Sequence, residues 1–223
     1  MNLITDLIKE TIRGKSIVRT LFNNRLKDIE LQGKILDLGA GKIRPSYYRF
    51  LKIKKNSDIT TVDIDKSKNP DIIANLEKPI PLESDTYDYA LAFNLIEYLY
   101  DHGLFFKECN RLLKNKGILL GVSPFISGIQ DGPEDKFRYS KSSLTKILQE
   151  SGFTDIKILG LGYGPFVASY SFVMKFIPKI LRPVPLFFFI LIDSLLHRIS
   201  KSYYKKENYP LSYFFTCKKE VAS

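Results

Sequence analysis

An apolar run that leads into a glycine-rich loop constrains the fold of this chain more than any other sequence feature. The run is Ile35–Leu38, and the loop Gly39–Gly41 follows it directly. Such a run predicts a short buried strand, and glycines after it let the backbone approach a ligand without a Cβ clash. In open α/β sheets, ligands bind at the carboxyl ends of the strands. A tight strand–helix turn can also require glycines without any ligand, so the loop alone leaves both interpretations open.

Further apolar runs alternate with helical patterns along the chain. The runs predicted as strands are Ile59–Val62, Asp71–Ala74, Tyr87–Phe93, Ile118–Val122, Phe153–Leu159 and Leu211–Lys218. The predicted helices are Ser46–Leu51, residues 101–115 ended by Gly117, and Ser140–Glu150 capped by Ser140 or Ser142. This alternation predicts an α/β fold with a mostly parallel sheet.

The length of 223 residues suits one domain with a sizeable core. We predict a single domain over residues 1–223. It has N-terminal helices at 1–32, a core at 33–164 and 211–219, and an apolar, basic helical insert at 165–210. Two distant cysteines, Cys109 and Cys217, predict no metal site and favour a reducing cytoplasm.

Two further features indicate a nucleotide-like ligand at the glycine loop. Asp63 ends the second predicted strand, where its carboxylate could accept hydrogen bonds from both ribose hydroxyls. The loop Gly39–Arg44 lacks the third glycine of the dinucleotide fingerprint, which weakens a nicotinamide or flavin interpretation.

The order and spacing of several short motifs resemble class I S-adenosylmethionine-dependent methyltransferases, and most closely the "type 11" methyltransferase domains. The resemblance covers roughly residues 33–160. The motifs are Ile35–Gly41, Thr61–Asp65, Asp71–Glu77, Pro79–Pro81, Tyr87–Tyr89 and Asn94–Leu99. Two further segments, Pro133–Ser140 and Tyr209–Tyr213, resemble members from glycan and cell-envelope pathways. The resemblance implies a Rossmann-like sheet with an antiparallel last strand.

The same resemblance implies S-adenosyl-L-methionine as the cofactor and assigns its contacts. The methionine moiety would meet Asp37, Gly39 and Gly41, the ribose Asp63, the adenine Ile64, Asn75 and Leu76, and the sulfonium region Asn94. The chain departs from the family pattern at two positions. Tyr98 stands where many relatives have His, and Asn75 stands where an acidic residue is commoner.

Methyl transfer from a sulfonium needs chiefly alignment, and a base is required only if the acceptor is a hydroxyl or a similar protonated group. The candidates for acceptor chemistry are Asp135, Arg138, Glu97 and His102. Asp135 and Arg138 are three residues apart, so an ion pair between them either pins the loop or presents Arg138 to an anionic acceptor. Glu97 also fits a plain helix-start carboxylate, and His102 a surface position.

The net charge of +10 is concentrated in two segments, residues 1–27 and 165–210. The apolar stretches within 166–208 are too short to span a bilayer, and lysines and arginines flank them. Together with the amphipathic N-terminal helix, they favour peripheral contact with an anionic membrane surface at its cytoplasmic face. The alternative is a helical lid or a dimerisation surface. Nucleic acid is disfavoured as a partner because the lysines lie among long aliphatic runs.

Three functional hypotheses follow. The first is an enzyme that methylates a hydroxyl of a lipid-linked or cell-envelope glycan or lipid intermediate. The second is a soluble small-molecule methyltransferase in which the insert covers the acceptor. The third is an inactive, cofactor-binding membrane adaptor.

Overall fold

The computed structural model describes residues 3–42, 45–129, 134–200, 204–205 and 208–220. Its helices are α1 Leu3–Ile12, α2 Ile17–Leu26, α3 His102–Leu112, α4 Lys141–Glu150, α5 Pro165–Val173 and α6 Pro183–Ile199. Its strands are β1 Glu30–Leu31, β2 Lys34–Leu38, β3 Lys52–Ile53, β4 Asp58–Asp63, β5 Ile72–Ile73, β6 Tyr87–Phe93, β7 Leu113–Pro124, β8 Phe153–Leu161 and β9 Ser212–Lys219. Ile43 and Arg44 of the glycine loop and Pro133 of the second family segment lie outside the described residues.

The strand that carries the apolar run, β2, lies inside a seven-stranded sheet. The strand order is β5-β4-β2-β6-β7-β9-β8, and β1 pairs with β3 in a separate two-stranded sheet. β2 pairs in parallel with β4 on one side and β6 on the other, so Leu38 lies beside both Val62 and Ala92. This register brings the ends of three parallel strands to one edge, where the predicted ligand loop begins.

The last strand, β9, runs antiparallel to its neighbours. The Leu211 amide donates to the Leu161 carbonyl at one end, and the Glu220 amide donates to the Gly152 carbonyl at the other. Gly121 of β7 leaves room for the Phe215 ring, because a Cβ at Gly121 would lie 2.0 Å from it. The predicted α/β fold, with a mostly parallel sheet and an antiparallel last strand, is confirmed.

Two predicted helices have different ends from those expected. The helix predicted over residues 101–115 ends at Leu112, and Gly117 lies inside β7 and not at a helix end. The reason is a bulge: the β6–β7 register shifts between Tyr87 and Tyr89, and Lys116 there adopts φ +64°. The helix predicted at Ser46–Leu51 is a single 3₁₀ turn, Ser46–Arg49. Of the two predicted caps of α4, Ser140 and Ser142, the structure shows Ser140.

The chain divides into two compact units. Unit 1 comprises Met1–Lys27, Phe125–Gly128 and Leu159–Tyr213, and unit 2 comprises Asp28–Pro124, Ile129–Ile158 and Phe214–Ser223. Unit 1 holds the N-terminal helices and the predicted insert, and unit 2 holds most of the sheet. The single-domain organisation of residues 1–223 stays a prediction.

Helix packing in unit 1 centres on α6, which contacts both α5 and α1. α6 turns Leu186, Ile190 and Asp193 inward at helical spacing. Asp193 is fully buried and accepts hydrogen bonds from the amides of Phe166 and Val167, at 3.1 and 2.9 Å. The carboxylate of one helix therefore caps the first turn of the other.

None of the helices in the described parts of the chain is long and apolar enough to cross a membrane. Nor do the described residues contain a group of three or more His, Cys, Asp or Glu side chains that could hold a metal ion.

Candidate cofactor and acceptor site

A cavity of about 390 Å³ opens at the carboxyl edge of the parallel strands in unit 2. It is lined by Gly39, Asp63, Ile64, Asp65, Lys68, Asn75, Leu76, Glu77, Asn94, Leu95, Tyr98, Leu99 and Lys136. Six of the eight predicted cofactor residues are in this lining; Asp37 and Gly41 are not. The sequence prediction therefore converges on one cavity, because strand ends of a parallel sheet meet at one edge.

Both predicted loop glycines stand where a side chain would not fit. Gly39 has φ +81°, in the left-handed region that favours glycine, and its amide donates to the Val62 carbonyl at 2.7 Å. A Cβ at Gly41 would lie 2.1 Å from the Lys68 carbonyl oxygen. Gly41 thus serves the contact between the loop and the following turn, while Gly39 presents bare backbone to the cavity.

Asp63 lies at the end of β4 and is nearly buried. One carboxylate oxygen accepts from the Asp65 amide at 2.8 Å, and the other pairs with Lys68 Nζ at 2.8 Å. The first bond fixes the orientation of the carboxylate, and the second places a half-exposed cation at the other oxygen. Lys68 has no counterpart among the sequence-predicted residues.

Asn75, Leu76 and Asn94 line the cavity beside Asp63. Asn75 Oδ1 accepts from the Glu77 amide at 2.9 Å, which leaves the NH₂ group of this cavity-lining side chain as its donor. Asn94 follows β6 with φ +49°, a left-handed conformation that is uncommon for a residue with a Cβ. Strained backbone of this kind concentrates at ligand sites, which fits the position of Asn94.

Asp37 is fully buried within β2, and two tyrosine hydroxyls hold it. Tyr47 and Tyr48 donate to the same oxygen, Oδ2, at 2.6 and 2.5 Å, whereas Oδ1 has no partner among the described residues. Burial raises the pKa of Asp37 to about 6 despite these two hydrogen bonds. A buried carboxylate with one unused acceptor matches the cationic ammonium end of a ligand.

The other side of the cavity is formed by a 3₁₀ turn after β6, Ile96–Tyr98, and the segment 134–139. The Glu97 carbonyl accepts from the amides of Lys136 and Phe137, at 2.9 and 3.1 Å. Lys136 Nζ donates to the Tyr98 carbonyl at 2.7 Å. These bonds hold the segment 134–139 against the turn, so the predicted acceptor loop has a defined place beside the cavity.

The side chain of Glu97 is sealed in this structure. The residue is 0% exposed, and neither carboxyl oxygen has a hydrogen-bond partner among the described residues. Burial raises the pKa of Glu97 to about 8. An unsatisfied buried carboxyl costs folding free energy, so Glu97 is not the ordinary helix-start carboxylate of the alternative interpretation.

The ion pair predicted between Asp135 and Arg138 is present, although the segment is not helical. Both guanidinium Nη atoms bind the Asp135 carboxylate, and the second contact measures 2.5 Å. Asp135 holds the pKa of Arg138 above its usual value. Because the pair is bidentate, the carboxylate neutralises most of the charge that an anionic acceptor would meet.

His102 packs edge-on against the rings of Phe137 and Tyr139, at centroid distances of 5.4 and 5.5 Å. It is the first residue of α3, which Asp101 caps. Its Nδ1 is buried without a hydrogen-bond partner among the described residues. All four catalytic candidates therefore gather around the segment 134–139, but the residues of this region that reach the cavity are Tyr98 and Lys136.

The residues at this edge of the sheet match a known protein family. A family model described as a methyltransferase domain matches residues 36–121, from the glycine-loop strand into β7. Residues 36–121 are thus similar to a class I methyltransferase domain. The match confirms the predicted family and its cofactor, S-adenosyl-L-methionine.

Curated relatives support the same assignment over a limited stretch. The chain is 34% identical over 99 residues to a protein named Probable S-adenosylmethionine-dependent methyltransferase from Mycobacterium tuberculosis. The aligned stretch covers 41% of this chain and 35% of that relative. The chain thus spans about a third of the relative's length.

Solved structures share the fold of the methyltransferase domain at low sequence identity. A S-adenosylmethionine-dependent methyltransferase from Archaeoglobus fulgidus is 16% identical, with a TM-score of 0.55 over 96% of this chain and 98% of that one. The cyclase SpnF is 15% identical, with a TM-score of 0.58 over 92% of this chain and 82% of that one. One fold therefore serves both a methyltransferase and a cyclase, and function has to be argued from the site.

The sequence prediction missed the two tyrosines that hold Asp37 and the lysine that pairs with Asp63. Tyr47 and Tyr48 follow the glycine loop within one turn, and two adjacent tyrosines after such a loop could have been noticed. Lys68 lies five residues after Asp63 with no distinguishing pattern. Its approach depends on the turn Lys66–Lys68, which only the structure shows.

Proposed function

We propose that this protein transfers the methyl group of S-adenosyl-L-methionine to a hydroxyl of a lipid-linked or cell-envelope glycan or lipid intermediate, at the cytoplasmic face of a membrane. The observation that carries the transfer reaction is the cavity that joins Gly39, Asp63 and Asn94 at the strand ends. The lipid-linked acceptor is supported by the resemblance of segments 133–140 and 209–213 and by the apolar, basic unit 1.

Bound S-adenosylmethionine supplies an activated methyl group that needs alignment more than further activation. Asp63 would accept hydrogen bonds from the ribose hydroxyls, and Asn75 would donate to the adenine edge. Asp37 would take the ammonium group through its unused Oδ1. Leu76 and Ile64 would flank the adenine ring, while Gly39 and Asn94 border the reacting end.

On the acceptor side, we assign the hydroxyl proton to Glu97, whose sealed carboxyl would have to be opened to the cavity when the acceptor binds. With a pKa of about 8, Glu97 is mostly protonated at neutral pH, and its ionised fraction is the form that would accept the proton. The cofactor would supply the methyl group to the acceptor oxygen, and Glu97 would take the proton that this oxygen releases. Asp135 and Arg138 would hold the segment 134–139 in place for this step, and His102 would support it through Phe137 and Tyr139.

Calorimetric titration with S-adenosylmethionine tests the cofactor site. The wild type is expected to bind, and Asp63→Ala to weaken binding by about a hundredfold, since a buried carboxylate loses two hydrogen bonds to the ribose. Asp58→Ala on the same strand is the matched control, because Asp58 is exposed at the opposite end of β4. Undetectable binding by the wild type, or equal binding by the Asp63→Ala variant, would refute the proposal.

Transfer of labelled methyl groups into a cell extract tests the acceptor. We expect label in the organic, lipid-containing phase, and loss of that label in Glu97→Gln. Glu134→Gln provides the control, because it makes the same chemical change on an exposed side chain of the neighbouring segment. Label confined to the aqueous phase contradicts a lipid-linked acceptor, and full activity of Glu97→Gln contradicts its assigned role.

A further inference from the structure

The outer side of α6 is apolar, although it faces solvent. A surface helix of a globular protein normally buries one apolar stripe and exposes polar residues. In α6, Leu186 and Ile190 form the buried stripe. The exposed side carries a second apolar stripe, defined here as the outer stripe: Val184, Phe187, Phe188, Leu191 and Leu195.

The residues before α6 extend the apolar exposure along the chain. Phe176 and Ile180 are 78% and 77% exposed, and Leu181 is more than half exposed. Single exposed apolar residues are ordinary, but a series of eight within twenty residues marks a surface that contacts something apolar.

The charge of unit 1 indicates what that partner is. Unit 1 carries thirteen Lys and Arg residues against four Asp and Glu residues, whereas unit 2 carries 21 against 20. Of the unit 1 carboxylates that the structure describes, Asp6 and Asp193 are buried and Glu10 is paired with Arg13. Unit 1 therefore presents an almost wholly cationic polar surface around its exposed apolar residues.

The cations lie next to the apolar residues. Lys175 places Nζ 5.2 Å from the centre of the Phe176 ring. Arg182 donates to the carbonyls of Ile177 and Lys175, which fixes its guanidinium in the turn before α6. Lys179, which precedes α6, and Arg198, in the last turn of α6, are exposed. Long cationic side chains beside an apolar surface suit the headgroup region of an anionic bilayer.

We propose that unit 1 docks on an anionic phospholipid surface and inserts the outer stripe of α6, with Phe176 and Ile180, into the headgroup–acyl boundary. α6 has 17 residues, which fits a helix that lies in the interface. A second copy of this chain is a poorer occupant, because two surfaces of net charge +9 repel each other. This inference deepens the proposed function by naming the surface that meets the lipid. It rests on the proposed function only where it links that surface to a lipid-linked acceptor.

A tryptophan reporter tests the insertion, because the chain contains no tryptophan. Phe188→Trp places the indole on the outer stripe, and Tyr100→Trp is the control on an exposed side chain of unit 2. With vesicles of equal parts phosphatidylcholine and phosphatidylglycerol, we expect a blue-shifted emission that brominated acyl chains quench in the Phe188→Trp variant alone. Equal responses of the two reporters, or no quenching of the first, overturn the proposal.

Vesicle co-sedimentation of the full chain measures how much the outer stripe contributes to the affinity for vesicles. Phe188→Gln with Leu195→Gln is expected to weaken binding to the mixed vesicles at least about tenfold. Ile73→Gln with Ile129→Gln makes the same kind of change at two exposed residues of unit 2. This control pair is expected to change the affinity for the mixed vesicles less than about twofold. Phosphatidylcholine alone is expected to bind at least about tenfold more weakly than the mixture.

Calorimetric binding of S-adenosylmethionine distinguishes failure of this inference from failure of the proposed function. Both double variants are expected to retain cofactor binding, which also shows that they are folded. Normal cofactor binding without vesicle binding by the wild type overturns the membrane inference alone. A dimer that forms in lipid-free buffer and dissociates in Phe188→Gln with Leu195→Gln assigns the stripe to a second copy and also overturns it.

Discussion

Asp193 of unit 1 and Glu97 of unit 2 are both completely buried carboxyl groups, and they differ in every other respect. Asp193 in unit 1 is 0% exposed and accepts from two backbone amides and from the Tyr204 hydroxyl, the last at 2.8 Å. Glu97 in unit 2 is equally buried, yet its carboxyl oxygens have no hydrogen-bond partner among the described residues. A satisfied buried acid stabilises architecture, whereas an unsatisfied one lowers stability and is retained for another reason.

The surroundings of the two carboxylates repeat this contrast. Asp193 joins two helices of a strongly basic unit whose exposed side is apolar. Glu97 lies behind the strand-end cavity of a unit that is nearly neutral, next to an ion pair and to Tyr98 and Tyr139, whose pKa values are raised by burial and then by Glu97. The carboxyl groups with a strongly raised pKa therefore lie in unit 2, whereas the only fully buried acid described in unit 1 has its hydrogen bonds satisfied.

The largest effect is expected from removing the satisfied carboxylate. Asp193→Ala leaves two amides of the first turn of α5 without an acceptor, and we expect a loss of about 3 kcal/mol in the free energy of unfolding. Denaturant titration measures this loss, and hydrogen exchange should accelerate at the amides of Phe166 and Val167. Ser194→Ala on the same helix is the control, with an expected loss below about 1 kcal/mol. A loss for Asp193→Ala as small as that of the control would remove the contrast between the two acids.

The unsatisfied carboxyl predicts a stability that depends on pH with a definite sign. The pKa of Glu97 is about 8 in the folded chain and 4.5 as its ordinary value. Its contribution is therefore complete below about pH 4.5 and is lost as the pH rises toward 8, because the unfolded chain releases the proton first. The loss has a limiting slope of about 1.4 kcal/mol per pH unit.

Glu97→Gln isolates this contribution, since the amide has nearly the same shape and does not ionise. Denaturation measured between about pH 5 and pH 8 should give a flatter profile for the variant and higher stability than the wild type at neutral pH. Loss of methyl transfer together with this gain would separate a functional acid from a structural one. Parallel pH profiles of variant and wild type would place Glu97 in the same class as Asp193.

Cofactor binding should report a third buried acid, Asp37, through its pH dependence. Its pKa of about 6 in the free protein means that the carboxyl becomes protonated below that pH and no longer attracts the cofactor ammonium. We expect affinity to fall by up to about tenfold per pH unit below pH 6, while the ammonium itself stays protonated. Calorimetry of wild type and Asp37→Asn at matched pH checks this, and the variant should bind weakly at all pH values. An equally steep fall in the variant would assign the titration to another group.

The meeting of the candidate cofactor residues at one edge of the sheet was predictable because they belong to consecutive motifs. Gly39 follows β2, Asp63 ends β4 and Asn94 follows β6, and the carboxyl ends of parallel strands must meet at one edge. The role of Asp193 was not predictable, since its partners lie 26 and 27 residues earlier and 11 residues later in the chain. The sequence showed only an acid that interrupts an apolar run.

The state of Glu97 also lay beyond sequence reasoning. Its pKa depends on how closely the segment 134–139 packs on the 3₁₀ turn, and that packing is made by backbone hydrogen bonds without a residue signature. The pairing of Asp135 with Arg138 was predicted from helical spacing. The pair forms in a non-helical segment, so the residues were right and the geometry behind the prediction was wrong.

The smallest expected effect concerns Asp63, the proposed ribose ligand, which already has a cationic partner. Lys68 Nζ contacts the Asp63 oxygen that a ribose hydroxyl would use, and the lysine side chain is half exposed. Ion pairs with an exposed partner contribute about 0–1 kcal/mol, so Lys68→Ala should raise affinity for S-adenosylmethionine by no more than about fivefold. Lys66→Ala on the same turn is the control for lost positive charge, because its side chain is also exposed. A large drop in affinity for Lys68→Ala, absent in Lys66→Ala, would show that the lysine holds Asp63 in its binding orientation and does not compete with the ribose.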